Sequence, residues 1–413
     1  MTQRPLPRRT VLAGTLTGTL AVGALAACAT TPSGPETGSA AQSMPTSSPR
    51  STAPSSRQPT PSATSSPEPT TSPPASPIEG WSLEELVGQL LIVGVPAAVA
   101  SPEHAEIVAQ VHAGGVFLHG RSTEGTQATR AVVASYTDLA HRAGLLVATD
   151  QEGGAVQVLS GPGLSTIPAA EDQALLDPEV LTAHAAGWGT ELAAAGVTMN
   201  LAPCADLVDT LAPSDNAPIG AWGRQYGTDT DTATAGALAF NEGMRSAGVE
   251  PVVKHFPGLG RVTENTDIAA GVVDSTTVRD GDPAVGVFAA AVRAGARAVM
   301  LSSATYLLID AGAPACFSPV VVTDMLRGDL GFTGVVMTDD VSAAAQVQAW
   351  SPGERAVLAV RAGVDVVLAS ANARVALEMA QALVAEARAD ADVAARVEQA
   401  ALRVLALKGV PGA

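Results

Sequence analysis

Aromatic side chains are scarce in this sequence. Six Phe, three Tyr and four Trp make up 3% of 413 residues, whereas hydrophobic residues as a whole reach 46%. A core built from this chain is therefore aliphatic, chiefly Ala, Val and Leu, and the chain is long enough to bury a large one. Charge is sparse too, at 15%, and basic charge most of all: 23 Lys and Arg face 40 Asp and Glu, a net charge of −17. Three of the basic residues, Arg4, Arg8 and Arg9, lie in residues 1–27, which contain no acid. Without them 20 basic side chains face 40 acidic ones, a balance of −20. A body this acidic repels phosphate backbones, which argues against nucleic-acid partners and suits neutral or cationic substrates. Cysteine is limited to Cys28, Cys204 and Cys316, too few for a disulfide framework. No Cys-x-x-Cys or Cys/His cluster points to structural zinc. Cys204 and Cys316 are read as buried thiols, with a pairing between them left open.

The N-terminus carries address signals. Arg8-Arg9-Thr-Val-Leu precedes an uncharged apolar run from Val11 to Ala27. Twin arginines before such a run resemble the signal read by twin-arginine export. Leu25-Ala-Ala-Cys28 resembles a bacterial lipobox, in which small residues precede a Cys that becomes lipidated. The run is short for a spanning helix, although an ordinary signal peptide or a membrane-spanning anchor is the alternative. Residues 1–27 are expected to be a signal peptide, and Cys28 a lipid anchor on the outer face of the cell membrane. Residues 28–79 are rich in Ser, Thr and Pro and offer too little apolar surface to offset the entropy of ordering. They are expected to form a disordered tether. Residues 80–413 are expected to form one catalytic domain.

From Trp81 onward short apolar runs alternate with Ala-rich helical patterns. The runs are 89–95, 115–119, 145–150, 197–202, 250–255, 296–302, 334–339 and 364–369. Continuous apolar strands alternating with helices indicate a parallel sheet covered on both faces. Eight such units fit a (β/α)8 barrel with long loops. A doubly wound open sheet is the alternative, but no Gly-x-Gly-x-x-Gly follows the first strand. Ser82-Leu-Glu-Glu85 reads as a capping box. Ser318-Pro319 opens a helical pattern with Val322, Met325 and Leu326 on one face, and 371–407 reads as two amphipathic helices.

In such a barrel the site lies at the C-terminal ends of the strands. Asp150 ends the third run, Lys254-His255 the fifth and Asp339-Asp340 the seventh, while Arg224 follows the fourth. Each has a structural alternative. Asp150 and Asp339 could cap the helices that follow them, and Lys254 could form a buried ion pair. Their arrival at one rim is what such roles do not explain. The set suits glycoside cleavage, which needs two acid/base-capable groups flanking a sugar bond. Asp339, on a rigid strand end, is placed to attack the anomeric carbon. Asp150, Arg224, Lys254 and His255 are placed to hold sugar hydroxyls or an N-acetyl group.

Asp150-Gln-Glu-Gly-Gly154, Arg224-Gln-Tyr-Gly227, Lys254-His-Phe-Pro-Gly258 and Val336-Met-Thr-Asp-Asp340 together resemble the motif set of glycoside hydrolase family 3. The likeness is to its bacterial β-N-acetylhexosaminidase branch and covers roughly residues 81–410. It implies a retaining mechanism through a glycosyl ester on Asp339. The implied substrate is a terminal β-linked N-acetylglucosamine, as in peptidoglycan fragments or chitooligosaccharides. It further implies no metal or organic cofactor, sugar binding by Asp150, Arg224, Lys254 and His255, and a protein able to act as a monomer.

Three departures stand out. The family's Arg-Val-Gln-Arg is here Ala155-Val-Gln-Val158, so both arginines are missing. The His-Gly after Lys-His-Phe-Pro-Gly is here Leu259-Gly260. The branch's mobile Asp-Ser-His loop, whose His is the acid/base, corresponds to Gly260-Arg-Val-Thr-Glu-Asn-Thr-Asp267 and holds no His. By count Asp267 falls where the His would be, and Asn265 where its orienting Asp would be. A carboxyl raised by desolvation can do the same proton transfer. Asp267 is therefore expected as acid/base, Glu264 is the second candidate, and a mere turn at 265–267 is the bland alternative. The chain ends at Ala413 without the further α/β domain of many family β-glucosidases, which favours the hexosaminidase branch. A β-glucosidase variant, a phosphorylase and an inactive sugar-binding lipoprotein are the competing functions.

Overall fold

The structure is a computed structural model that describes residues 76–140, 142–210 and 212–413. The expected signal peptide (1–27), the Cys28 anchor and the tether up to residue 75 lie outside the described residues. Residues 76–79, assigned to the tether from sequence, form a turn in which the Glu79 N–H donates to the Ser76 carbonyl at 2.9 Å. Ile78 packs against the core, so the fold begins before residue 80.

All eight apolar runs are strands of one parallel sheet. They are β1 (Leu91–Pro96), β2 (Gly115–His119), β3 (Leu146–Thr149) and β4 (Met199–Asn200). β5 comes in two segments, Glu250–Pro251 and Val253–Phe256. β6 (Ala298–Leu301), β7 (Val335–Asp340) and β8 (Val366–Ala369) complete the set. β1 pairs with β2 and β8, and pairing continues β2–β3–β4 on one side and β8–β7–β6 on the other. β5 closes the ring, since its first segment pairs with β4 and its second with β6. Closure rules out the open doubly wound sheet.

Alternation along the strands explains why the runs look uniformly apolar. Ile92, Ala148, Met300, Met337 and Leu368 point into the barrel, and Leu91, Val93, Val147, Val299 and Val336 point to the helices. Both faces are dry, so no polar position breaks the run. At roughly 25 cal/mol per Å² of apolar area, this double burial is the main force holding the ring together.

Local signals read from sequence recur. Ser82 accepts from the Glu85 N–H, and the Glu85 carboxylate accepts from the Ser82 N–H, a complete capping box. Helices Val375–Ala389 and Ala391–Leu407 meet at Asp390, whose side chain caps the second. The helix after Pro319 differs from expectation. Val320–Asp329 is wound as a π-helix, with Val321, Val322, Met325 and Leu326 buried. Cys204 and Cys316 are separate buried thiols.

Candidate active site

A cavity of about 550 Å³ opens at the C-terminal ends of the strands. Phe117, Leu201, Met300 and Leu368, the upper layer of the barrel interior, form its floor. Asp150, Arg224, Lys254, His255, Asp267 and Asp339 all line it, so the structure brings together these six side chains expected at the site. Glu264 is exposed and does not line it.

The β3–β5 wall is a network of paired charges. Lys254, only 3% exposed, sits 2.7 Å from Asp150 Oδ1 and 2.6 Å from Glu152 Oε1. Arg224 donates from Nε and Nη2 to the two Glu152 oxygens at 2.8 and 2.6 Å, and from Nη1 to the Pro218 carbonyl at 2.8 Å. Burial opposes the charge on Glu152, but Arg224 and Lys254 outweigh it and hold the carboxyl below its usual range. Burial likewise opposes the charge on Lys254, and Asp150 with Glu152 outweighs it and raises the ammonium. Lys254 thus does form the buried ion pair considered from sequence, and it lines the cavity as well.

Asp150 caps no helix. A short hairpin, Gln151–Gly153 against Val156–Gln157, follows it. Its turn uses Gly153 at φ +112° and Gly154 at φ +55°, and a Cβ on Gly153 would lie 2.1 Å from the Pro168 carbonyl oxygen.

His255 is fixed from behind. Its Nδ1 lies 2.7 Å from Asp206 Oδ2, while Nε2 faces Asp339 Oδ2 at 4.0 Å. Asp206 is fully buried and also accepts the N–H groups of His255 and Leu259 at 3.1 and 2.6 Å. The Cys204 thiol donates to the same carboxylate at 3.1 Å. The donor atoms of Cys204, Asp206 and His255 lie within 4.8 Å of one another, a spacing that could suit a metal ion. They are already bonded to one another, and burial followed by the Asp206 charge pushes the thiol well above its usual range. A protonated thiol is a poor ligand.

Asp339 is a half-buried carboxyl at the end of β7 and caps no helix; its Oδ1 accepts the Asp340 N–H at 2.8 Å. The next α-helix, Pro352–Ala362, is capped by Ser351. Asp340 does the structural work, accepting from Ser342 N–H and Oγ, Ala343 N–H and Ser370 N–H.

Asp267 stands on the loop after β5. Asn265 Oδ1 accepts the Asp267 N–H at 2.8 Å, so the expected turn exists. The loop is also tied to the β7 side, where Ala345 and Gln346 N–H groups donate to the Asp267 and Thr266 carbonyls at 3.0 and 3.1 Å. The side chain keeps an open face to the cavity, yet the walls around it displace much of its water. That desolvation, then the charges of Asp339 and Asp340, push the carboxyl up to about 6. The turn and the cavity-facing acid are one feature.

Four residues escaped the sequence reading. Glu152 was in view within a motif but had no assigned partner. Asp206 lies six residues beyond β4, where no pattern marked it. Trp222 and Arg121 line the cavity from loops. Arg121 donates to the Gln157 and Ala155 carbonyls at 2.5 and 2.6 Å, so a cation from the β2 loop lies against the hairpin that lacks the two arginines.

A family model described as the glycosyl hydrolase family 3 N-terminal domain matches residues 82–407. A β-hexosaminidase of Stenotrophomonas maltophilia is 33% identical over 290 residues, which cover 68% of this chain and 82% of that one. The crystal structure of a β-N-acetylhexosaminidase from Beutenbergia cavernae is 56% identical, with a TM-score of 0.79, over 80% of this chain and 99% of that one. A glycoside hydrolase family 3 β-N-acetylglucosaminidase from a Paenibacillus strain is 28% identical, with a TM-score of 0.73, over 80% of this chain and 63% of that one.

Proposed function

The chain belongs to glycosyl hydrolase family 3 and is a glycoside hydrolase, and from that premise we propose that it is a retaining, exo-acting β-N-acetylglucosaminidase. The observation that carries this reading is the meeting of Asp339 and Asp267 in one cavity beside the Asp150–Lys254–Glu152–Arg224 network. The activity of the relatives supplies the N-acetylglucosaminyl specificity of the proposal.

In this reading Asp150, Arg224, Lys254 and His255 hold the terminal sugar. Two of the five N–H donors of Arg121 are spent on backbone carbonyls, which leaves donors for a hydroxyl or the acetamido oxygen. The Asp339 carboxylate attacks the anomeric carbon while Asp267 gives its proton to the departing oxygen, leaving a glycosyl ester on Asp339. Water then attacks the same carbon. Asp267, now ionised, takes a proton from that water and Asp339 leaves. A carboxyl at about 6 is protonated often enough near neutral pH to act as the acid, and its conjugate base can then accept the proton back.

Hydrolysis of 4-nitrophenyl β-N-acetylglucosaminide in preference to the β-glucoside tests the reading. Preference for the glucoside contradicts the specificity, and turnover of neither turns the cavity into a binding site. Free sugar rather than sugar 1-phosphate in phosphate buffer is the expected product. The proposal extends to location: Arg8-Arg9 and Leu25-Ala-Ala-Cys28 support export and lipid anchoring, with wall fragments or chitooligosaccharides within reach. Mass spectrometry of the mature protein tests this, and an unmodified Cys28 or a retained signal contradicts it.

A further inference from the structure

Large apolar side chains left in water gather at one end of the barrel. Val99, Trp222, Ile268, Leu307 and Leu308 are exposed, and each lies in a loop that follows a barrel strand, on the face where the cavity opens. Ile268 directly follows Asp267. Trp222 is the largest of these and also lines the cavity, with 57% of its surface exposed. Leaving an indole in water forfeits the burial free energy that large aromatics usually supply.

The pedestal under Trp222 is rigid. Its turn, Gly220–Trp222, is closed by the Gly223 and Trp222 N–H groups donating to the Gly220 and Ile219 carbonyls. Asn216, 2% exposed, accepts the Ile219 and Gly220 N–H groups through Oδ1. Its amide donates to the Leu259 and Val262 carbonyls at 3.0 and 2.7 Å, tying the turn to the loop after β5. Two residues beyond the indole, Arg224 is locked on Glu152. An exposed ring on so fixed a base is preorganised for a flat, partly apolar ligand. The C–H faces of a pyranose are such a surface, and the negative face of an indole attracts them.

We propose that Trp222 is the stacking platform for the leaving-group sugar, so that this chain reads one pyranose beyond the bond it cleaves. This rests on the activity proposed above. The test compares wild type, Trp222→Ala and Trp222→Phe on N-acetyl-β-glucosaminyl fluoride, whose leaving group has no ring, and on N,N′-diacetylchitobiose. Trp222→Ala is expected to raise the disaccharide KM relative to the fluoride KM about tenfold, or about 1.4 kcal/mol. Trp222→Phe is expected to recover most of that ratio. A second readout is the indole fluorescence of Asp339→Asn, which the disaccharide should shift, and which should stay unmoved when Trp222→Phe is added. An unchanged KM ratio in Trp222→Ala, or no fluorescence shift with the indole in place, overturns the platform. Wild-type turnover of neither substrate overturns the activity reading instead, and the platform with it.

Discussion

On the β3–β5 wall of the cavity Glu152, Arg224, Lys254 and the Asp206–His255 pair hold one another, each with at least one partner within 2.8 Å. On the loop after β5 Asp267 accepts no side-chain hydrogen bond from any described residue; only its backbone is held, by Asn265 and Ala345. The difference teaches what sets each group's protonation. Where Glu152, Arg224 and Lys254 meet under burial, their ionised forms are locked and the geometry is fixed before substrate arrives. Where a carboxyl meets desolvation and like charge, its proton is poised to move. In the proposed reaction the wall grips the sugar and the loop exchanges the proton, and opposite electrostatics would serve the two tasks.

The comparison breaks most visibly at Asp339, which serves both halves. Asp339→Asn is expected to cut turnover to below about one thousandth of wild type, read by single-turnover kinetics, with the fold intact by circular dichroism. The fixed wall breaks next. Glu152→Gln leaves Arg224 and Lys254 short of a buried partner, and is expected to cost about 3–5 kcal/mol in denaturant unfolding. A loss below about 1 kcal/mol would mean that the network is solvated and not locked.

The loop responds to pH. As Asp267 ionises, kcat/KM on a substrate with a poor leaving group is expected to fall as pH rises through about 6. A substrate with a good leaving group should show a flatter limb, because its departure needs less protonation. The smallest effect is on stability. The folded carboxyl lies at about 6, above the ordinary aspartate value of 3.8, so the folded state holds its proton longer than the unfolded chain does. Stability is therefore lost as pH rises across that window, and Asp267→Asn should melt higher than wild type above the window and equal to it below. No difference in Tm at either pH would place the carboxyl in open water.

Much of the barrel was legible because both of its faces are dry. Eight Val- and Leu-rich runs stand out when no polar position interrupts them, as in Val335–Met337 between Val336 facing the helices and Met337 facing the axis. The break in β5 at Val252 and the π-winding of Val320–Asp329 were not legible, since both depend on what packs against the segment. At the site, strand ends pointed to Asp150, Lys254, His255 and Asp339. Asp267 came from counting along a motif with its usual histidine missing. Glu152 and Asp206 were missed because their meaning lies in partners 72 and 49 residues away, Arg224 and His255. Trp222 was missed because exposure is a property of the folded surface.

The central claim, that Asp267 carries the proton opposite Asp339, is tested most directly by Asp267→Ala with and without azide. On N,N′-diacetylchitobiose, a poor leaving group, turnover is expected to fall by about 10²–10⁴. On 4-nitrophenyl β-N-acetylglucosaminide azide is expected to restore turnover and to appear in the product as the β-glycosyl azide. Undiminished cleavage of the disaccharide by Asp267→Ala would contradict the account.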